Sequence, residues 1–129
     1  MTEKHRTPIA IPNAPAPKGA YSPLIRSGDF VFVSGQVPTD DSGKVVGTTA
    51  AEQTRFVMGK LERALNTAGL SLNNLVSVTA YLSSIDLWDE FDAAYRACLE
   101  PPFPTRTTVG CQLHGVLVEI SAIAAVPQT

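Results

Sequence analysis

The sequence has little of what marks a secreted, membrane-bound or nucleic-acid-binding protein. Its two cysteines, Cys98 and Cys111, are too few for a disulfide framework or a cysteine metal cluster, which favours a reducing, cytoplasmic compartment. No apolar run approaches the length of a membrane span, and the N-terminus lacks the apolar core of a signal peptide. The net charge of -2 leaves no basic footprint, so neither nucleic acid nor a membrane is an expected partner.

The chain is long enough to form one hydrophobic core. Its 129 residues correspond to a single domain. Residues 1–18 are polar and then rich in proline, which predicts a partly ordered N-terminal arm. Residues 19–129 are predicted to form the domain itself.

Apolar periodicity predicts the element order ββαβαββ for this domain. A capping-box pattern, Thr49 to Glu52, opens the first helix, and Gly69 ends it. Asp86 is predicted to cap the second helix, and the prolines at 101 and 102 stop it. The predicted strands are 20–25, 30–37, 75–82, 101–109 and 116–124, and the predicted helices are 50–68 and 87–99.

Right-handed crossovers place both helices on the same face of one mixed sheet, which predicts an α+β fold. The other face is then bare. Residues 30–33, Phe-Val-Phe-Val, are apolar on both sides of their strand, so the helices cannot cover all of them. The sequence therefore predicts a homo-oligomer in which other copies of the chain bury part of that face.

Side chains outside the predicted strands have simpler interpretations. The aromatic residues Trp88, Phe91 and Tyr95 follow the helical period and are predicted to be core. His114 is predicted to be an exposed loop residue, and Asp40 is predicted to form a turn.

The last two strands each carry one charge, Arg106 in the first and Glu119 in the second. The runs are predicted to pair as a hairpin around residues 113–115. One interpretation is that the guanidinium and the carboxylate share an anion-binding pocket. The other is that they form an edge-strand ion pair or are two solvated side chains.

Several short motifs together resemble the signatures of the Rid (RidA/YjgF-type) family of imine and enamine deaminases, from about residue 13 to residue 126. They are Gly19-Ala20-Tyr21, Val33-Ser34-Gly35-Gln36-Val37-Pro38, Ala68-Gly69-Leu70, Phe103-Pro104-Thr105-Arg106 and Val118-Glu119-Ile120. The resemblance implies a chorismate-mutase-like α+β subunit and a trimer whose sheets form a central barrel. Three clefts would lie between neighbouring subunits.

The same resemblance implies the chemistry, which is hydrolysis of small 2-imino acids to 2-keto acids and ammonia without a cofactor or a metal. Arg106 matches the arginine that grips the substrate carboxylate, and Glu119 matches the glutamate that positions water. Tyr21 matches the tyrosine that reaches into the cleft, and Ser34 and Gly35 match the turn that lines it.

These residue types suit that chemistry on their own terms. A planar guanidinium binds a carboxylate through two parallel hydrogen bonds, which fixes the position of the neighbouring C=N carbon. A carboxylate within hydrogen-bond reach of a water can then orient the water and take its proton. Positioning and one proton transfer are enough to accelerate a reaction that already proceeds in water.

The sequence departs from the family pattern in two lining residues and one loop. Asp92 stands where asparagine is common, and it would oppose a carboxylate if it faces the cleft or have no effect if it faces solvent. Thr108 stands where cysteine is common and keeps a hydroxyl that donates and accepts. The segment between Arg106 and Glu119 is about two residues shorter than in the family, so the substrate can differ.

Two other functions stay open beside the deaminase. One is a non-catalytic trimer that binds small carboxylates or 2-keto acids as a sensor. The other is a ribonuclease or translation inhibitor, which the net charge disfavours.

Overall fold

A computed structural model describes residues 5–128 of the chain. Within that range one sheet of six strands packs against two helices, and the fold is α+β. The elements are β1 (Thr7–Ile9), β2 (Leu24–Ser27), β3 (Phe30–Gln36), α1 (Ala50–Thr67), β4 (Leu75–Leu82), α2 (Trp88–Ala97), β5 (Thr105–Gly110) and β6 (Val118–Ala125).

The strand order in the sheet is β1-β2-β3-β6-β4-β5. Only β4 and β5 run parallel, and every other neighbouring pair is antiparallel. The mixed sheet follows from the two crossovers, because each helix returns the chain to a strand in the same direction as the one before it.

Helix α1 begins and ends where local sequence signals place it. The Thr49 side chain accepts from the Glu52 N–H, and the Glu52 carboxylate accepts from the Thr49 N–H, so both halves of the capping box are formed. Gly69 has φ of 76°, a left-handed conformation that glycine adopts without strain. The face toward the sheet includes Val57, Leu61 and Leu65, all with no exposed surface.

Helix α2 begins differently from the prediction. Asp86 does not cap it, because residues 85–87 form a short 3-10 turn whose own cap is Ser84. The Ser84 hydroxyl accepts from the Asp86 N–H at 3.2 Å. The regular helix therefore starts later, at Trp88, with no side-chain cap.

One face of the sheet, the helix face, is covered by α1 and α2. Within residues 5–128, no helix covers the opposite face, which is called the open face. Along β3, Val31 and Val33 are 0% and 4% exposed, whereas Phe30 and Phe32 are 46% and 43% exposed. This alternation matches the expectation that helices cover only one side of the strand.

The predicted hairpin of the last two strands is wrong. β4 lies between β5 and β6 and pairs with both, in parallel with β5 and antiparallel with β6. The connection through residues 111–117 crosses the end of β4 instead of turning back beside β5.

The N-terminal region is more regular than predicted. Residues 7–9, placed by the sequence in a partly ordered arm, form β1 and pair with β2 at the sheet edge. Pro8 fits there because an edge strand has one side on which a missing N–H costs nothing. The rest of the predicted arm includes residues 1–4, which lie outside the described residues. β2 starts at Leu24, later than the predicted residue 20. The Tyr21 N–H donates to the Gly19 carbonyl in a turn, and Pro23 has no N–H to donate, although its carbonyl accepts from the Ser34 N–H.

Neither helix in the described range is long and apolar enough to cross a bilayer.

Candidate active site

The Arg106 side chain lies on the helix face, against α2. Its backbone is in register with Val78 of β4, which is buried under the helices. The guanidinium carbon is 5.3, 5.2 and 4.9 Å from the ring centres of Trp88, Phe91 and Tyr95. A cation at this distance from aromatic rings is attracted by their quadrupoles, so three rings hold the guanidinium in place.

An ion pair completes the surroundings of Arg106. Its Nη1 donates to Oδ1 of Asp92 at 2.8 Å, and the two side chains are 16% and 19% exposed. The hydrogen bond from Arg106 holds the pKa of Asp92 below its ordinary value. The sequence left open whether Asp92 faces the cleft or the solvent. The structure shows a third arrangement, in which the carboxylate faces the Arg106 guanidinium.

Thr108 lies two residues beyond Arg106 on β5 and therefore on the same face of the sheet. It is half-buried and in register with Ala80 of β4. Arg106, Asp92 and Thr108 together are called the guanidinium half below.

Two of the other predicted site residues, Gly35 and Glu119, meet on the opposite side of the sheet. A Cβ added to Gly35 would collide with Oε2 of Glu119 and lie 3.1 Å from its Cδ, so the Glu119 carboxylate rests directly against the Gly35 backbone. The Ser34 hydroxyl donates to the Ser22 carbonyl at 2.6 Å, which ties this strand to the segment carrying Tyr21. Tyr21 itself is 57% exposed. Tyr21, Ser34, Gly35 and Glu119 are called the glutamate half.

Lys60 of α1 secures the chain just beyond the glutamate half. Its Nζ donates to the carbonyls of Val37 and Thr39 at 2.8 and 2.9 Å. Burial lowers the pKa of this ammonium group. The segment that follows Gly35 is therefore fixed to the first helix.

The two halves do not form a common pocket within one chain. Arg106 is in register with Val78, and Glu119 is in register with Tyr81, three residues along the same strand. Side chains an odd number of residues apart point to opposite faces, so Arg106 and Glu119 lie on opposite faces of the sheet. The predicted pocket shared by the two charges is wrong for a single subunit, and so is the alternative of an ion pair between them.

Sequence reasoning missed the contribution of α2 to this site. Phe91 and Tyr95 are buried, as predicted, but Trp88 is 39% exposed, and all three surround Arg106. The signal was present in the spacing, because positions 88, 91, 92 and 95 share one side of a helix. The Tyr95 hydroxyl is buried and finds no hydrogen-bond partner among residues 5–128.

Two of the remaining candidates, His114 and Asp40, behave as the sequence predicts. His114 is exposed in the loop before β6. The Asp40 carboxylate accepts from the Ser42 and Lys44 N–H groups, which is the predicted turn. Cys98 and Cys111 are unpaired and half-buried. Over residues 5–128, no three His, Cys, Asp or Glu side chains are grouped to hold a metal ion.

Comparisons with known proteins match nearly the whole chain. The sequence model of the family described as endoribonuclease L-PSP matches residues 11–126. A RutC family protein of Pyrococcus horikoshii is 36% identical over 115 residues, 87% of this chain and 91% of that protein. Protein mmf2, mitochondrial, of Schizosaccharomyces pombe is 38% identical over 112 residues, 83% of this chain and 88% of that protein.

Solved structures agree with the fold. A Yersinia pestis protein, titled as of unknown function and of the conserved Rid protein family, superposes with a TM-score of 0.87 at 30% identity. The match covers 94% of this chain and 99% of that one.

Proposed function

Because the chain belongs to the Rid family, described as endoribonuclease L-PSP, we propose that it hydrolyses reactive 2-imino and enamine acids to 2-keto acids and ammonia. Small acids of the 2-iminopropanoate and 2-iminobutanoate type are the proposed substrates. No cofactor takes part in the proposal.

The observation that carries the proposal is the setting of Arg106. A mostly buried arginine that contacts three aromatic rings presents a planar donor edge in an apolar environment. Nη1 is engaged by Asp92, and within the described part of the chain Nη2 and Nε donate no hydrogen bond. Those two nitrogens form an edge that fits the two oxygens of a substrate carboxylate.

The glutamate half supplies the base. Glu119 lies against Gly35, where the lack of a Cβ leaves room for its carboxylate. From there it can orient a water and accept its proton as the water oxygen bonds to the C=N carbon. The Glu119 carboxyl then returns this proton to the nitrogen. The C–N bond breaks as the new hydroxyl gives up its proton and becomes the keto oxygen, so ammonia leaves and the 2-keto acid remains. Tyr21, Ser34 and Thr108 line the same cleft in this proposal.

The two halves lie on opposite faces of one subunit, so a complete site needs a second copy of the chain. We propose a homotrimer in which the β5 edge of one subunit approaches the glutamate half of its neighbour. The exposed Phe30 and Phe32 on the open face support an assembly that buries that face. Sedimentation tests this directly, and a monomer that retains full activity would contradict it.

A trapping assay tests the reaction. An amino-acid oxidase generates 2-imino acids, semicarbazide captures them, and the protein competes by hydrolysing them. We expect less semicarbazone with wild-type protein and no reduction with Arg106→Ala, whereas Arg55→Ala, an exposed arginine of α1, behaves as wild type.

The base is tested by a matched pair of glutamates. Glu119→Gln should bind ligand and lose turnover by roughly a hundredfold or more. Glu62→Gln, an exposed glutamate of α1, should keep it. If Arg106→Ala or Glu119→Gln instead dissociates the oligomer, their roles are structural and the mechanism is wrong.

Two other outcomes correspond to other functions. A folded oligomer that binds 2-keto acids without accelerating imine loss would be a sensor. The family description favours RNA cleavage as a second candidate, although a net charge of -2 disfavours phosphate binding. A salt-dependent RNA titration separates it from the deaminase.

We also propose a cytoplasmic location. It rests on the two unpaired cysteines. Cell fractionation tests it, since two of the relatives are named as mitochondrial.

A further inference from the structure

Asp92 is the one acidic side chain that contacts Arg106 among the residues described. Its Oδ1 accepts from Nη1 of Arg106 at 2.8 Å, and its Oδ2 lies 3.4 Å from Nη2 of Arg96. Arg96 is 65% exposed, so solvent screens its charge, while the Arg106 pair is largely shielded. A carboxylate ligand on Arg106 therefore shares the guanidinium with a second carboxylate.

If Arg106 turned away from Asp92 to meet a ligand, it would lose its contacts with three aromatic rings as well as the ion pair. Trp88, Phe91 and Tyr95 all lie within 5.3 Å of the guanidinium carbon. They are on α2, as is Asp92, so the cation and the anion are held by the same element. Bringing a second negative charge to this site is unfavourable unless the ligand also carries a compensating group.

A compensating group of the right kind is a nitrogen that donates hydrogen bonds. A carboxylate oxygen accepts hydrogen bonds and attracts positive charge, whereas it repels the carbonyl oxygen of a 2-keto acid. In the proposed reaction the substrate carries a C=N group, which is cationic when protonated, and the product carries C=O in its place.

We propose that Asp92 makes the Arg106 site selective for carboxylates with a protonated or hydrogen-bond-donating nitrogen at C2, and against the 2-keto acid with the same carbon skeleton. The inference rests on the proposed function. It identifies the favoured substrate as the zwitterionic iminium acid, the form whose C2 carbon water attacks most readily. It also gives a reason for product release, because hydrolysis removes the group that Asp92 attracts.

Binding of two stable ligands tests this selectivity without turnover. The probes are 2-aminobutanoate, which is zwitterionic, and 2-oxobutanoate, which is a monoanion, measured by calorimetry on the oligomeric protein. We expect the wild type to favour 2-aminobutanoate. Asp92→Asn keeps the shape and removes the charge, and it should shift the affinity ratio toward 2-oxobutanoate by about tenfold or more.

The matched control is Asp89→Asn, an exposed aspartate of the same helix, which should leave the ratio as in the wild type. Circular dichroism and sedimentation check the fold of each variant, and Asp92→Ser replaces Asp92→Asn if the latter does not fold. An unchanged ratio would overturn the inference, and so would an equal loss of affinity for both ligands, which would mean that Asp92 only positions Arg106.

Failure of the proposed reaction gives a different pattern. If the wild type shows the selectivity but does not reduce semicarbazone, the inference about Asp92 stands and the proposed hydrolysis is wrong. If the protein hydrolyses imines but Asp92→Asn leaves the ratio of the two ligand affinities unchanged, the proposed function stands and the inference about Asp92 is wrong.

Discussion

Replacing Gly35 with alanine should disable the base without touching the carboxylate-binding side chain. The added Cβ collides with Oε2 of Glu119 and lies 3.1 Å from Cδ and 3.4 Å from Cγ. These atoms are the far end of a flexible side chain, so the carboxylate moves and the backbone does not. Because Glu119 leaves its position against the strand, the water that it orients loses its base.

The expected changes in stability and turnover follow from the displacement of the Glu119 side chain. Displacing a glutamate from its preferred rotamer costs about 0.5–1.5 kcal/mol, so the free energy of unfolding should change by no more than that. Loss of a positioned base lowers turnover by about a hundredfold or more. Arg106 lies on the other face of the subunit, so KM should change little.

Steady-state kinetics from the trapping assay measure both quantities. The double variant Gly35→Ala with Glu119→Gln should be no slower than Glu119→Gln alone, because both changes remove the same group. Gly59→Ala is the control, since a Cβ there meets no atom within 4 Å. A Gly35→Ala enzyme with more than about half of the wild-type turnover would refute the reasoning. So would a double variant whose loss of turnover equals the product of the losses in the two single variants.

Three further predictions concern stability. Gly59 is exposed in the middle of α1, so Gly59→Ala should stabilise the fold by about 0.5–1 kcal/mol, and a lower Tm in a thermal melt would contradict this. Tyr95→Phe removes a buried hydroxyl without a partner in residues 5–128, so denaturant unfolding should show equal or higher stability. A loss above about 1 kcal/mol would mean that the hydroxyl is hydrogen-bonded in the assembled protein. Arg106 lowers the folded-state pKa of Asp92, so the stability from this pair is complete above the unfolded pKa of about 3.9 and is lost as the pH falls through the folded value. Urea unfolding from pH 5 to pH 2 should therefore weaken the wild type more than Asp92→Asn, and identical acid profiles would count against the pair.

Local signals were enough to predict both helices and, among residues 5–128, every strand except β1. The capping box at Thr49 and the glycine at position 69 are interactions within one or two helical turns, so the sequence carries them completely. The burial of one helix face and the exposed Phe30 and Phe32 follow from periodicity in the same way.

Strand neighbours could not be read from the sequence. Strands β5 and β6 run antiparallel in the observed sheet, where β4 lies between them. They would also run antiparallel in a hairpin, so their directions do not distinguish the two arrangements. The connection through residues 111–117 is long enough for either, since crossing two strand spacings takes only about 10 Å. Long-range pairing with β4, and not the connection, decides the order.

The candidate residues were identified, but their grouping was not. Arg106 and Asp92 meet because α2 packs over β5, a tertiary contact with no local signature. Charges alone suggested Arg106 and Glu119 as partners, and their register against β4 places them on opposite faces.

The aromatic contacts of Arg106 have a thermodynamic consequence for small ligands. A free arginine side chain loses about 2 kcal/mol of rotamer entropy when it is fixed, and here folding has already fixed it. A ligand of only a few atoms, which offers few contacts, then has to overcome little beyond its own loss of motion. Such preorganisation suits a protein whose proposed substrates are short-lived and scarce, because affinity depends on the stiffness of the site rather than on the size of the ligand.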